Sequence, residues 1–277
     1  MSHGRTLLTG ASGWIGSRLA AVLPDLHVIP AQSLLDGSAR ATVTTGRHDV
    51  IVNAAGLRVG NDSDLYAANV TLVKELIAIA DRAGCRIVHL GSAAEYGPEH
   101  DGDLSEDVVP CPQSYYGLTK LLATELLSVR ADATTLRVFN LASSPPQAGS
   151  PLADVVSRVT EAVGRGGPVE LLAAATVRDW VSLDFVVRSV ERAVVAPTPG
   201  VFNLCSATGV SMRDLAEAML GILGAEQLGV RDLQAAPATT VVGDGARWRR
   251  ETGLVERLGP DDIARLALDD QRAVSTP

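Results

Sequence analysis

Two side chains that can transfer protons stand four positions apart in the segment 116–120, which reads YGLTK. On a helix, side chains at this spacing lie on one face, one turn apart. An ammonium group beside a phenol favours the phenolate, so we expect Lys120 to lower the pKa of Tyr116 from about 10. A tyrosine tuned in this way can act as a general acid or base nearer neutral pH. The adjacent Tyr115 has Thr119 four residues on, so Tyr116 is the predicted proton-transfer residue.

Ser92 is the third candidate for this chemistry. It follows the predicted strand Arg86–Leu90, at the carboxyl edge where open α/β sheets bind ligands. A hydroxyl there can hydrogen-bond a substrate carbonyl or alcohol. Alone, the Tyr116 and Lys120 pair is typical of an exposed helix surface. With Ser92 placed at the sheet edge, the sequence predicts a catalytic set of Ser92, Tyr116 and Lys120.

A glycine-rich turn lies between the predicted strand Arg5–Thr9 and the predicted helix Trp14–Leu23. We expect its first glycine to allow a tight turn, its second to let a pyrophosphate approach the backbone, and its third to let the helix pack closely. The helix N-terminus then offers free N–H groups to the phosphates. Glycines alone also fit a turn without a ligand, but the strand–turn–helix context favours a dinucleotide site. The predicted contacts are Gly10, Ser12, Gly13, Trp14, Ile15 and Gly16.

Strand and helix patterns alternate through the first half of the chain, which predicts βαβ units and a parallel sheet. The predicted fold class is α/β, a doubly wound parallel sheet (Rossmann-like) with a small C-terminal substrate-binding lobe. We expect residues 1–140 to form the dinucleotide-binding core, with 175–205 returning to it, and 141–174 with 206–277 to form the lobe. The other predicted elements are strands His27–Pro30, Asp49–Asn53, Thr135–Phe139 and Val201–Leu204, and helices Leu65–Ala83, Tyr116–Arg130, Leu152–Val163 and Ser211–Leu223.

Composition excludes several other classes of protein. The net charge of −8 over 277 residues disfavours a nucleic-acid partner. Cys85, Cys111 and Cys205 are odd in number and lack CxxC spacing, so we expect reduced thiols in a cytoplasmic protein, with neither disulfides nor a metal site. Neither a signal peptide nor a membrane-spanning segment is predicted.

Several motifs together resemble the extended branch of the short-chain dehydrogenase/reductase superfamily, the NAD-dependent epimerase/dehydratase family, which acts mostly on nucleotide sugars. The glycine turn has the spacing GxxGxxG, and the resemblance extends over roughly residues 5–225. The matching segments are Gly91–Gly97, Pro112–Lys120, Asn53–Leu57, Asn69 with its neighbours, Leu136–Asn140, Val177–Asp184 and Gly200–Leu204.

The resemblance implies further site residues and a homodimer formed through helices 65–83 and 116–130. The implied cofactor contacts beyond the glycine turn are Ala54, Ala55, Gly56, Asn69, Tyr116, Lys120 and Phe139. The implied substrate contacts are Ser92, Ala93, Asn140 and Arg178.

Two departures from the family pattern bear on cofactor and reaction. Residues 27–33, HVIPAQS, lack the acid with which many NAD-specific relatives bind ribose, which favours NADP and leaves NAD open. Arg40 is a candidate partner for a 2′-phosphate, although a solvated surface arginine is the commoner role. Related dehydratases carry an Asp–Glu pair where this chain has Ala93 and Ala94, so water elimination is not expected.

Several arginines are candidates for binding a substrate diphosphate. Arg178 could hold it with its guanidinium fork, or could form an ion pair with Asp179 or Asp184. The second arginine that relatives often use is not found near 237–244. The candidate substitutes are Arg231, Arg247, Arg249 and Arg250.

Three functional hypotheses follow. The leading one is an NADPH-dependent ketoreductase acting on a nucleotide-linked keto-deoxysugar. The second is a nucleotide-sugar 4-epimerase that uses bound NAD. The third, from another class, is a non-catalytic NAD(P)-binding regulatory protein, which the intact Ser92, Tyr116 and Lys120 disfavour.

Overall fold

The computed structural model describes residues 5–38, 48–98 and 102–274. Its strands are β1 Thr6–Thr9, β2 Leu26–Ile29, β3 Val50–Asn53, β4 Arg86–Ser92, β5 Thr134–Val138, β6 Asn140–Ala142, β7 Val169–Leu171, β8 Val177–Ser182, β9 Gly200–Leu204, β10 Gly209–Ser211, β11 Val230–Asp232 and β12 Thr240–Val241. Its α-helices are α1 Trp14–Val22, α2 Ala31–Leu35, α3 Asp62–Tyr66, α4 Leu72–Ala83, α5 Tyr115–Ser128, α6 Pro151–Arg165, α7 Leu183–Val195, α8 Met212–Ile222, α9 Ala246–Thr252 and α10 Pro260–Val274.

A six-stranded parallel sheet forms the centre, in the order β2-β1-β3-β4-β5-β9. Its middle strands are apolar runs because both faces are covered. Leu8 and Val52 pack with residues of α1 and α7, whereas Leu7 and Ile51 pack with residues of α4 and α5. The predicted doubly wound α/β class is therefore confirmed. The strand order reverses between β1 and β3, which creates a crevice at the carboxyl edge.

The helix predicted over Leu65–Ala83 differs from the observed one. The observed segment begins earlier, at α3, and contains one π-helical turn, Ala67–Thr71, before α4. Gly84 ends it in the left-handed conformation at φ 70°, where glycine lacks the Cβ penalty. A π turn inserts a residue into the α-helical repeat, so it shifts the side chains that precede α4 relative to those that follow.

A second group of elements packs beside the sheet around its own core. The strands β6, β8, β10 and β12 form a four-stranded sheet, and β7 pairs with β11. The helices α6, α8 and α10 contribute residues to a core cluster that includes the fully buried Trp180. Asp179, also buried, accepts hydrogen bonds from the backbone N–H of Ser206 (2.7 Å) and of Gly243 (3.2 Å). One carboxylate thus joins three segments of this group.

The cysteines are free thiols, buried at Cys85 and Cys205 and exposed at Cys111. Within the described ranges, no helix combines the length and the apolarity needed to cross a bilayer.

Candidate active site

The N-terminus of α5 brings Tyr116 to Ser92. Ser114 caps the helix by accepting the Gly117 N–H at 3.0 Å. A Cβ built on Gly117 would lie 2.4 Å from the carbonyl oxygen of Ala94, so only glycine lets the helix approach the turn after β4 this closely. Across this contact Tyr116 and Ser92 line the same cavity, with the Ser92 hydroxyl near the phenol.

Lys120 lies one turn further along α5 and is 5% exposed. Its ammonium group donates to the backbone carbonyl of Leu90, just before Ser92. Burial lowers the pKa of Lys120 to about 8, while the nearby carboxylate of Glu95 acts in the opposite direction. The lysine is therefore held against the carboxyl end of β4, on the cavity side.

The pKa of Tyr116 moves opposite to the expectation. Burial raises it above the ordinary value, the hydrogen bond with Ser92 lowers it, the Glu95 charge raises it and the Arg58 charge lowers it. The prediction that Lys120 lowers this pKa is wrong for the protein alone, because desolvation of the phenolate dominates. Tyr116 is thus protonated at neutral pH.

Glu95, which the sequence analysis missed, holds Ser92 in place. Its Oε1 accepts the Ser92 N–H at 2.8 Å, and the Ser92 hydroxyl accepts the Ala94 N–H at 3.2 Å. These two bonds make a capping box on the 3₁₀ turn Ala93–Glu95. The Ser-x-x-Glu spacing at 92–95 was the signal that could have revealed it.

The glycine turn is shaped by contacts within the protein as well as by space for a ligand. Gly10 has φ +87°, and a Cβ there would lie 2.3 Å from the Ala55 nitrogen. Gly16 packs on the Gly10 carbonyl, where a Cβ would lie 1.9 Å away, so its close packing is with the turn rather than with a strand. A Cβ on Gly13 would meet only the Gly10 carbonyl oxygen within 4 Å, at 3.2 Å, which leaves its outer side open.

Asn69 lies in the π-helical turn and bonds two segments that border the site. Its Oδ1 accepts the Leu57 N–H, and its Nδ2 donates to the Leu57 carbonyl and to the Thr119 hydroxyl, each at 2.9 Å. The side chain therefore joins the π turn to the loop after β3 and to α5. Its polar side-chain atoms are thus bonded to protein groups, and its contact with a cofactor stays a prediction.

A cavity of about 930 Å³ lies at the carboxyl edge of the sheet. Most predicted site residues line it: Gly13, Trp14, Ile15, Ala54, Ala55, Gly56, Ser92, Ala93, Tyr116, Lys120, Phe139, Asn140 and Arg178. Four predicted contacts do not: Gly10, Ser12, Gly16 and Asn69.

Cations dominate the charge of this cavity. Arg58, Lys120 and Arg178 line it, and its described lining contains neither Asp nor Glu. Arg58 donates to the carbonyl oxygens of Ala148 (2.9 Å) and Gly149 (3.0 Å). These neutral partners leave positive charge at the cavity wall in a chain of net charge −8.

Arg178 donates to the carbonyl of Val177 (2.8 Å) and to the carbonyl and hydroxyl of Thr239 (2.9 and 2.8 Å). The alternative of an ion pair with Asp179 or Asp184 is wrong. Asp179 accepts backbone N–H groups, and Asp184 pairs with Arg188 at 2.8 Å.

The four arginines suggested as a second anion contact do not line the cavity: Arg231, Arg247, Arg249 and Arg250. Arg231 lies beside Glu170 (3.5 Å) and Arg247 beside Asp107 (3.4 Å). Arg58, from the loop after β3, lines the cavity with Arg178 instead. Arg40 lies outside the described residues.

No carboxylate takes the place of the Asp–Glu pair expected of a dehydratase. Ala93 and Ala94 line the cavity beside Ser92. Glu95 is fully buried, bonds the Ser92 N–H and Arg137, and does not line the cavity. The described site therefore offers a serine, a tyrosine and a lysine for proton transfer.

Comparison with known proteins agrees with this geometry. The family described as NAD dependent epimerase/dehydratase matches residues 6–205. The dTDP-6-deoxy-L-talose 4-dehydrogenase (NAD(P)(+)) of Kitasatospora kifunensis is 30% identical over 74% of this chain and 67% of that protein. The UDP-glucose 4-epimerase of Azospirillum brasilense is 25% identical over 98% of this chain and 92% of that protein. RMD from Pseudomonas aeruginosa, solved with NADPH, shares the fold, with TM-score 0.83, 20% identity and 98% coverage of both chains.

Proposed function

The chain belongs to the NAD-dependent epimerase/dehydratase family, and we propose that it is an NADPH-dependent ketoreductase acting on a nucleotide-linked keto-deoxysugar. The observation that carries this proposal is the convergence of Ser92, Tyr116 and Lys120 on the cavity that the glycine turn and Arg178 also line. Membership of the family already implies a nucleotide-sugar-modifying NAD(P)-dependent enzyme.

The glycine turn fits the pyrophosphate of a dinucleotide. The N-cap residue of α1 is Gly13, so no side chain caps the first N–H groups of this helix. Gly13, Trp14 and Ile15 all line the cavity. Free N–H groups at a helix N-terminus favour an anion. We propose that this turn holds the pyrophosphate, and that Ala54, Ala55, Gly56, Phe139 and Lys120 hold the rest of the cofactor.

The chain's own residues would handle the proton and the reacting oxygen. Ser92 hydrogen-bonds the substrate carbonyl oxygen and holds it beside Tyr116. Tyr116 donates its phenolic proton to that oxygen as the carbonyl becomes an alcohol. When bound, the reduced nicotinamide supplies the hydride that the carbonyl carbon receives. Lys120 lines the cavity with this pair and would hold the nicotinamide ribose.

The cations suit the diphosphate of a nucleotide sugar. A guanidinium fork matches phosphate oxygens, and both Arg58 and Arg178 reach the cavity wall with neutral partners. We propose that Arg178 and Asn140 contact the substrate, and that residues 141–174 and 206–277 form the substrate-binding lobe. The Kitasatospora relative is named for a dTDP-linked 6-deoxysugar, which favours a 4-keto-6-deoxysugar as substrate.

The residues after Ser92 argue against water elimination. Ala93 and Ala94 leave no acid–base pair for that reaction. A 4-epimerase is the second candidate, because the Azospirillum epimerase aligns with 98% of the chain.

NADPH is the proposed donor because residues 27–33 at the end of β2 carry no acidic side chain. A carboxylate there would repel a 2′-phosphate. The kcat/KM ratio for NADPH over NADH measures this preference directly.

A redox assay separates the two candidates. The purified chain is incubated with NADPH and a dTDP-linked 4-keto-6-deoxyhexose, and both reactants are quantified. A reductase consumes NADPH in equal amount to the sugar alcohol formed. Interconversion of C4 epimers without added cofactor would instead support the epimerase, and the absence of both activities across nucleotide-linked sugars would refute the proposal.

A further inference from the structure

Glu95 and Arg137 form a buried ion pair next to the catalytic set. Arg137 Nε donates to Glu95 Oε2 at 2.8 Å, and the two side chains are 4% and 0% exposed. The other carboxylate oxygen of Glu95 accepts the Ser92 N–H. One buried carboxylate therefore joins the backbone of Ser92 to a charged side chain on β5.

The ion pair continues into a chain of buried hydrogen bonds. Arg137 donates to the Tyr96 hydroxyl, which donates to Asn203 Oδ1, each at 2.9 Å. Asn203 in turn donates to the Leu104 carbonyl at 2.8 Å. These bonds fix the far side of Glu95, so the carboxylate cannot turn toward the cavity without breaking the ion pair.

Gly91 leaves room for the Glu95 carboxylate. A Cβ on Gly91 would lie 2.8 Å from its Oε1. Ser92 itself is extended, with φ −149° and ψ 143°, and its hydroxyl accepts the Ala94 N–H while lying near the Tyr116 phenol. The direction of that hydroxyl thus depends on a backbone that Glu95 holds.

We propose that Glu95 is a positioning residue for the reaction, which fixes the Ser92 hydroxyl through the Ser92 N–H while Arg137 fixes Glu95. The inference rests on the proposed ketoreductase activity and adds a residue that neither touches substrate nor lines the cavity. The charged or titratable groups that act on Glu95 or feel its charge are Arg137 on β5 and Lys120 and Tyr116 on α5.

Two double variants isolate the hydrogen bond to Ser92. Glu95→Gln with Arg137→Met retains an oxygen that can accept the Ser92 N–H. Glu95→Leu with Arg137→Met removes that acceptor at similar volume. Both variants lack the two buried charges, so neither carries an unpaired ion, and both should shift the pH profile of kcat equally. The kcat of each is normalised to active sites titrated by NADPH binding, which discounts any unfolded fraction.

We expect kcat to be about 10- to 100-fold lower in the leucine variant, with KM for the keto sugar unchanged, since small misplacements of reacting groups cost about 100-fold. Amide hydrogen exchange at Ser92 should also be faster in the leucine variant. Equal kcat values and equal exchange would overturn the proposal. If the wild type lacks reductase activity, the ketoreductase proposal fails, and Ser92 exchange alone then decides the role of Glu95.

Discussion

Lys120 illustrates the cost of placing a charge where the chemistry needs it. Folding removes its ammonium group from water, and the pKa of about 8 shows that the folded state disfavours the charged form. The unfolded chain therefore binds more protons than the folded chain between pH 8 and about 10.5. The free energy of unfolding should therefore rise with pH across that window. Below pH 8 the buried charge should lower it by the full amount.

We therefore expect Lys120→Met to stabilise the fold while abolishing reductase activity. Replacing a buried charge by an apolar side chain of similar length should raise the free energy of unfolding at pH 7 by about 1–3 kcal/mol. Urea unfolding at several pH values measures this gain, which should shrink above pH 8 as the wild-type lysine loses its proton. A destabilised variant at pH 7 would contradict the account.

The spacing of side chains predicted only some of the site residues. Tyr116, Lys120 and Ser92 follow from a helical repeat and a strand end, both of which are local. The partners of Arg178, and the presence of Arg58 at the cavity wall, depend on loops far apart in sequence. The pKa of Tyr116 depends on burial, which helical spacing does not report.

At the scale of elements, the contact between α5 and the turn after β4 sets the distance between the two hydroxyl groups. Gly117 makes this contact because its missing Cβ leaves room for the Ala94 carbonyl. Any larger residue must push the first turn of α5, and Tyr116 with it, away from Ser92.

Gly117→Ala should accordingly lower kcat by about 100-fold and destabilise the fold by about 1–3 kcal/mol through overpacking. The matched control is Gly164→Ala on α6, where a Cβ would meet nothing within 4 Å. In that variant the free energy of unfolding should rise by up to about 1 kcal/mol from helix propensity, and activity should be retained. Steady-state kinetics and thermal unfolding of both variants provide the measurement, and equal behaviour of the two would refute the role of the contact.

The main strands and helices could be predicted because each buries an apolar run or stripe. The π turn at 67–71 could not, because periodicity does not register one inserted residue that Asn69 holds by hydrogen bonds. The short strands β7, β10, β11 and β12, of two or three residues, carry too few side chains to show alternation.

At the scale of the whole molecule, α5 leaves part of its surface apolar. Leu118 and Leu122, one turn apart, are 40% and 38% exposed, and Tyr66 at the end of α3 is 37% exposed. We propose that this surface pairs with its copy in a homodimer, as the family resemblance implies.

Analytical ultracentrifugation of the wild-type protein should give a mass equal to two chains. Leu118→Glu combined with Leu122→Glu should shift it to one chain, because two carboxylates on each copy would be buried against their symmetry mates. Val195→Glu, on an exposed position of α7, is the control and should leave the dimer intact. A monomeric wild type would contradict the proposed dimer without touching the catalytic account.

We propose that Tyr116 delivers the proton during NADPH-dependent reduction of a nucleotide-linked keto sugar, and single-turnover kinetics of Tyr116→Phe measure that step. The variant removes one hydroxyl and should keep its Kd for NADPH, while single-turnover NADPH oxidation with the keto sugar slows by about 100-fold or more. Undiminished oxidation in that variant, at saturating cofactor and sugar, would contradict the claim.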